Sequence, residues 1–300
     1  MSNENGSISL PARYLVIGAA GQLGIEYLRY LQAQEEVDVR GMDRDELDIT
    51  DAQAVMDYVA EFRPEVVLNC AAYTQVDKAE TETGPCMRIN RDGVQHLARA
   101  CAEYQSTLVH YSTDYVFSGA AEDRQRYPEG YPEDAPVQPV NAYGESKLKG
   151  ELALQQELDN FLILRISWLC GAHGNNFLKT MLRLSESHKK LTIVNDQLGA
   201  PTFTFDVVDA TERLLTAGKR GIFHLGTRHT HSWHDFATAI FEEAGRPVEA
   251  APVGSEAYPT PAARPAFSKL DTRKFEAACD GITYEMRSGI RRVLKELSVL

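Results

Sequence analysis

Arg13-Tyr-Leu-Val-Ile-Gly18-Ala-Ala-Gly21-Gln22-Leu23-Gly24 decides how the rest of the chain is read. Tyr14 to Ile17 form an apolar run too short for a helix and closed by glycine, which predicts a strand buried on both faces. Beyond it, Leu23, Tyr27, Leu28 and Leu31 recur at helical spacing, so a helix follows. The three glycines at the join have separate tasks. Gly18 allows the tight turn, Gly21 lets a pyrophosphate approach the backbone, and Gly24 lets the helix lie close on the sheet. Phosphate oxygens then meet the free N–H groups of a helix N-terminus. The loop, with Gln22 and Leu23 inside it, is a candidate dinucleotide cradle.

The same rhythm continues outward. Strands are expected at Val37-Asp-Val-Arg-Gly-Met-Asp43, Pro64-Glu-Val-Val-Leu-Asn69, Ser106-Thr-Leu-Val-His-Tyr-Ser112, Phe161-Leu-Ile-Leu-Arg-Ile-Ser-Trp168 and Gly221-Ile-Phe-His-Leu-Gly226. Helices are expected from Asp51, over 91–104, 143–158, 176–187, 204–217 and 233–244, and at least once after 273, with a short strand at 191–194. Alternating strands and helices specify an α/β fold, a Rossmann-type doubly wound parallel sheet with a smaller C-terminal α/β substrate domain. Residues 1–170 form the expected dinucleotide-binding domain, with 203–230 returning to it. Residues 171–202 and 231–300 form the substrate-binding domain. Residues 119–139 are rich in Pro, Asp, Glu and Gly, which predicts an exposed, partly mobile loop. Residues 258–265 read as an extended loop and residues 1–12 as a frayed end.

Composition narrows the function. The chain has 300 residues, 43% apolar and 25% charged, with a net charge of −12. Without a basic run, neither a nucleic-acid polymer nor an acidic membrane surface is an expected partner. No apolar stretch approaches the roughly 20 residues that cross a bilayer, and no signal peptide opens the chain. Five cysteines are scattered without a Cys-x-x-Cys pair, and eight histidines lack metal-ligand spacing. A cytoplasmic protein with reduced thiols and no metal site follows.

Candidate chemistry clusters at predicted strand ends. Asp43 ends the second strand, where a carboxylate accepts the adenosine-ribose hydroxyls and favours NADH. Arg44 follows it and suits a 2′-phosphate, favouring NADPH, so the nucleotide stays open. Asp48 and Ile49 are candidate adenine neighbours, with a helix-capping turn the alternative for Asp48. Ala71, Ala72 and Tyr73 follow the third strand, where small residues let the backbone run beneath a cofactor. Thr113 and Asp114 end the next strand, Thr113 to hold a substrate oxygen and Asp114 to meet a sugar hydroxyl or cap a turn. Tyr143 and Lys147 stand at i, i+4 on one helical face. An ammonium there is expected to lower the phenol pKa and prepare Tyr143 for proton transfer to a carbonyl. Beside the glycine loop, this set reads as hydride-transfer machinery.

These residues resemble the extended short-chain dehydrogenase/reductase superfamily. Gly-Gln-Leu-Gly at 21–24, Ala-Ala-Tyr-Thr-Gln-Val-Asp-Lys-Ala-Glu at 71–80, Ser-Thr-Asp-Tyr-Val-Phe at 112–117, Arg165-Ile-Ser-Trp168, Asp196-Gln-Leu-Gly-Ala-Pro-Thr202 and residues 258–265 resemble the dTDP-4-dehydrorhamnose reductase family. That resemblance implies reduction of dTDP-4-dehydro-β-L-rhamnose at C4 to dTDP-L-rhamnose, with NADPH or NADH supplying the hydride. Tyr143 is then the proton donor, Thr113 holds the carbonyl and Lys147 supports tyrosine and cofactor. It implies a sugar-pocket role for Trp168, which the residues alone read more readily as core, and a diphosphate role for Arg264, which they read as readily as an exposed loop arginine. It also implies magnesium at a dimer interface in some members, with no residues here to locate either. Two neighbouring functions are weighed against reduction. Sugar-nucleotide dehydratases typically carry Thr-Asp-Glu, whereas Tyr115 follows Asp114 here; an epimerase is disfavoured less decisively. A non-catalytic subunit resembling the regulator of methionine adenosyltransferase would bind a dinucleotide and act through a partner.

Overall fold

The computed structural model describes residues 12–300; the expected frayed end lies outside them, apart from Ala12. Six strands form one parallel sheet: β1 (Arg13–Ile17), β2 (Asp38–Met42), β3 (Val66–Asn69), β4 (Thr107–Thr113), β5 (Phe161–Ile166) and β6 (Gly221–Leu225). Their spatial order is β6-β5-β4-β3-β1-β2. The order reverses between β1 and β3, where a crevice opens outside the carboxyl ends of the strands. β3 and β4 are buried along their whole length, as central parallel strands must be.

Helices cover both faces. They are α1 (Gln22–Gln32), α2 (Ala52–Phe62), α3 (Val94–Tyr104), α4 (Ala142–Glu157), α5 (Phe177–Ser185), α6 (Thr204–Thr216), α7 (Trp233–Glu243) and α8 (Met286–Glu296). Side chains fix several starts. Asp51 accepts from Gln53 N and Ala54 N, Asn141 from Gly144 N, and Asn176 from Lys179 N. Ser232 and Asp235 form a reciprocal capping box at α7. Each such cap stabilises its helix by about 1 kcal/mol.

One apolar layer packs α1 and α6 against the sheet through Tyr27, Leu31, Val207 and Leu214. The other packs α2 and α3 through Val55, Val59, Leu97 and Cys101. A third core joins α5, α7 and α8 to a parallel pair of strands, Lys190–Val194 and Glu249–Val253. This is the smaller C-terminal region.

Three expectations need correction. The helix expected from 91 begins earlier, as Thr83–Met87, a π-helical turn at Arg88–Gly93, then α3. Gly84-Pro85 looks like a break, but proline is tolerated in a first turn, where its missing N–H has no partner anyway. β5 stops at Ile166, because Trp168 takes a left-handed backbone, φ 48°, at a cost of about 1–2 kcal/mol. The chain then turns to pair Leu169–Cys170 with Thr202–Phe203. Residues 119–139 are exposed mainly at 120–129 and again at 136–138. Tyr131 is buried, stacks on Phe117 at 4.4 Å, and exchanges backbone hydrogen bonds with Lys269 and Asp271. Arg165 donates to Glu133 O, and His224 N donates to Glu133 Oε1. Half of the supposed loop is therefore pinned to the core.

Candidate active site

A cavity of about 550 Å³ lies at the crevice between β1 and β3. Gly18 and Gly21 line its floor, Asp43, Arg44, Asp48 and Ile49 one side, and Ala71, Ala72 and Tyr73 the other. Gly18 has φ 75°, and a Cβ there would lie 2.7 Å from Ala71 N. A Cβ on Gly24 would lie 2.2 Å from Gly18 O, so α1 meets the strand end only because that carbon is missing. Leu23 is buried in the core beside Tyr27. Gln22 points away from the floor, donating to Leu169 O at 3.1 Å and accepting from Asn176 Nδ2 at 2.6 Å. These two side chains brace the loop; they do not line the cavity.

Asp48 lines the cavity and also closes a turn, accepting from Thr50 N at 2.9 Å and Thr50 Oγ1 at 2.8 Å. Those bonds and the nearby Arg44 hold its carboxyl below the usual range. Asp51, not Asp48, caps α2. Ile49 is largely buried under Gly93. Asn90 was not singled out from sequence. It accepts from Tyr73 N at 2.8 Å and donates to Tyr73 O at 3.0 Å and Ser146 Oγ at 2.9 Å. It thereby fixes the strip 71–73 to α4. The Tyr73 hydroxyl donates to Glu82.

α4 carries Tyr143 and Lys147 to the end of β4. The Tyr143 ring packs edge-on against Tyr115, centroids 5.6 Å apart. Burial pushes its phenol above the ordinary range; the Thr113 hydroxyl beside it opposes that, and Asp114 adds to it. The expected lowering by Lys147 does not occur. Spacing i, i+4 brings the two residues to one face, but the lysine turns into the sheet, donating to Tyr111 O at 2.6 Å and meeting His110 Nε2 at 3.3 Å. Burial pulls the ammonium down to about 8, against Glu151 and Cys86. Asp114 is buried, with Oδ1 accepting from Thr113 Oγ1 at 3.0 Å and Oδ2 without a hydrogen-bond partner among the described residues. Burial pushes it up to about 7.

A second cavity, about 170 Å³, adjoins Asp114 and Tyr115. Trp168, Gln197, Trp233, Arg264, Pro265 and Ser268 complete its wall. Trp168 and Trp233 stack with centroids 3.7 Å apart. Arg264 donates through Nη2 to Asp77 Oδ2 at 2.8 Å, so its guanidinium is held in place by a carboxylate from the Val76–Ala79 turn. Trp233 and Asp77 escaped the sequence reading. The Ser232-x-x-Asp235 box marks Trp233 as a helix start, but nothing local marks it as a pocket wall. Among the described residues, no group of three or more His, Cys, Asp or Glu is placed to hold a metal.

A doubly wound sheet with a glycine-floored cavity at its reversal, and a tyrosine–lysine helix laid over the next strand, is the build of an extended short-chain dehydrogenase/reductase. The family model described as the RmlD substrate binding domain matches residues 12–299. The dTDP-4-dehydrorhamnose reductase of Salmonella typhimurium is 37% identical over 296 residues, covering 94% of this chain and 97% of that protein. That of Aggregatibacter actinomycetemcomitans is 40% identical, covering 89% and 93%. Among solved structures, the Clostridium acetobutylicum enzyme superposes with a TM-score of 0.90 at 37% identity, covering 95% of this chain and 99% of that one. The Bacillus anthracis enzyme in complex with NADP gives 0.88 at 36% identity, covering 96% and 100%. The chain belongs to the dTDP-4-dehydrorhamnose reductase family.

Proposed function

We propose that this protein reduces the C4 keto group of dTDP-4-dehydro-β-L-rhamnose to give dTDP-L-rhamnose. The observation that carries the reading is at the end of β4, where the Tyr143 phenol lies beside the Thr113 hydroxyl, Lys147 of the same helix is held on Tyr111 O, and Asp114 and Tyr115 lead into the tryptophan pocket. The glycine cradle fits a dinucleotide, and NADPH, when bound, supplies the hydride. Arg44 at the adenosine end supports the phosphorylated nucleotide over NADH. Gly18, Gly21, Asp43, Asp48, Ile49, Ala71, Ala72 and Tyr73 are its proposed lining.

The protein's own part is to place an oxygen and give it a proton. Thr113 holds the carbonyl oxygen by hydrogen bond. Tyr143 gives that oxygen its phenolic proton; a phenol with a raised pKa keeps its proton until the alkoxide demands it. Lys147, held on Tyr111 O, supports the tyrosine helix from within the sheet and offers its ammonium to the nicotinamide ribose. Asp114 meets a sugar hydroxyl, Trp168 walls the sugar, and Arg264, aimed by Asp77, takes the diphosphate. What supports a division of labour, 1–170 with 203–230 for the dinucleotide and 171–202 with 231–300 for the substrate, is that β6 pairs with β5 while α5 and α7 share a separate core.

Tyr143→Phe tests the reading. Dinucleotide affinity should stay within about twofold while turnover falls by about 100-fold or more. Product identification by NMR from dTDP-4-dehydrorhamnose with NADPH or NADH checks substrate, cofactor and C4 configuration together. Near-normal turnover in the Phe variant would remove the proton-donor role.

A further inference from the structure

Asn69, His110 and Lys147 form a buried line to which the chemistry above gives only the lysine a task. Asn69 ends β3, and His110 is its register partner on β4. The three residues are 1%, 0% and 2% exposed. Asn69 Nδ2 lies 3.1 Å from His110 Nδ1, and Lys147 Nζ lies 3.3 Å from His110 Nε2. Asn69 Oδ1, equally buried, has no partner among the described residues.

Proton accounting decides the arrangement. An ammonium has three N–H groups and no lone pair, so His110 Nε2 must offer its own lone pair. Burial and the lysine charge both hold the imidazole neutral, far below its ordinary pKa. A neutral ring has one proton, which is therefore on Nδ1. An Nδ1–H cannot face an amide NH2. Turning the Asn69 amide by half a turn leaves the heavy atoms in place and sets Oδ1 opposite that proton. One amide position lacks a protein partner in either orientation, so the ring settles the choice.

We propose that Asn69 and His110 are positioning residues for the reaction. Asn69 Oδ1 fixes His110 as the Nδ1–H tautomer, and His110 Nε2 with the Tyr111 carbonyl holds the Lys147 ammonium by two of its three N–H groups. The third N–H is left for the dinucleotide. The proposal rests on the role given to Lys147 above. Two successive residues of β4 thus set the ammonium position, which α4 alone leaves to a flexible four-carbon stem. The charged neighbours fit this account. Glu151 and Cys86 favour the ammonium, but Glu151 is committed to Arg165 and Ser112. The His110 lone pair is then the side-chain acceptor that the ammonium has to itself.

Histidine 15N NMR of the whole protein reads the tautomer, with His110→Gln identifying the signal. A protonated Nδ1 and bare Nε2 at pH 7 are expected, and the reverse tautomer overturns the proposal. This readout needs no substrate, so it stands apart from any failure of the proposed reaction. The kinetic arm is Asn69→Leu, which frees the ring. A weaker acceptor lowers the Lys147 pKa further, so the alkaline limb of the hydride-transfer rate moves to lower pH. Movement by one unit gives about a tenfold greater loss at pH 9 than at pH 6.5. An equal loss at both pH values, the mark of simple disruption, overturns the positioning role.

Discussion

Asp43 and Arg44 stand side by side at the end of β2 and favour different nucleotides, and both line the cavity. The structure gives Arg44 the freer reach, since it is exposed while Asp43 is half-buried in a turn whose N–H donates to Glu46. If Arg44 pairs with a 2′-phosphate, Arg44→Ala loses a charge-assisted contact of about 1.5–3 kcal/mol. Titration should then show NADPH binding weakened by about 10- to 100-fold with NADH nearly unchanged; parallel losses would remove the argument for NADPH. The Tyr143–Lys147 pair shows how far a single residue is legible. Helical spacing fixes where two Cβ atoms lie, and that much was correct. It does not fix where a lysine head group ends after four rotatable bonds. Tyr111 O lies nearer to that head group than sequence distance suggests, and it redirected the ammonium away from the phenol.

Elements were legible where a pattern repeats and hidden where a tertiary contact overrides it. β1 and β3 are short apolar runs, and the segments that follow them place Gly18, Gly21, Ala71, Ala72 and Tyr73 on the cavity wall. The 119–139 stretch has the composition of a loop, while the anchors of its second half come from distant residues. Chief among these is Arg165 of β5, which donates from Nε at 3.0 Å and Nη2 at 2.7 Å to Glu151 of α4, and from Nη1 to Glu133 O. The pair is almost completely buried. Removing one partner of such a pair leaves a bare charge and costs about 3–5 kcal/mol. Arg165→Met should therefore lower the unfolding free energy by that order in a denaturant titration. Adding Glu151→Leu should recover much of the loss, because the stranded carboxylate is gone. A single variant within 1 kcal/mol of the parent would show that the bridge does not hold α4 and the 131–135 segment to the sheet.

At the scale of the whole molecule, strand alternation announces a parallel sheet but not how separate parts are joined, because joining is done by polar groups with no periodicity. Helix α6 shows this. It follows the Leu169–Cys170 and Thr202–Phe203 pairing and returns to the sheet, where Tyr27 bonds Thr211 at 2.6 Å and Tyr14 bonds Glu212 Oε2 at 2.9 Å. Glu212 is buried, its Oε1 has no partner among the described residues, and burial pushes its carboxyl up to about 7 while the Tyr14 hydroxyl resists. A carboxyl with a raised folded pKa binds its proton more tightly folded than unfolded. Its contribution is fully favourable below the unfolded value of about 4 and declines as pH rises towards 7. His110 and His224 act oppositely, since both are held neutral by burial and cost stability as pH falls through their unfolded range. Glu212→Gln separates the two effects. The variant keeps the shape and an acceptor for Tyr14, and it has no proton to lose. Measured by urea unfolding at pH 5 and pH 8, the variant should gain about 2 kcal/mol on the parent between the two. The histidine contribution cancels in that difference. A gap that does not change with pH would mean that Glu212 is ionised in the folded protein, and that the Tyr14 hydroxyl, not a retained proton, is what stabilises it under α6.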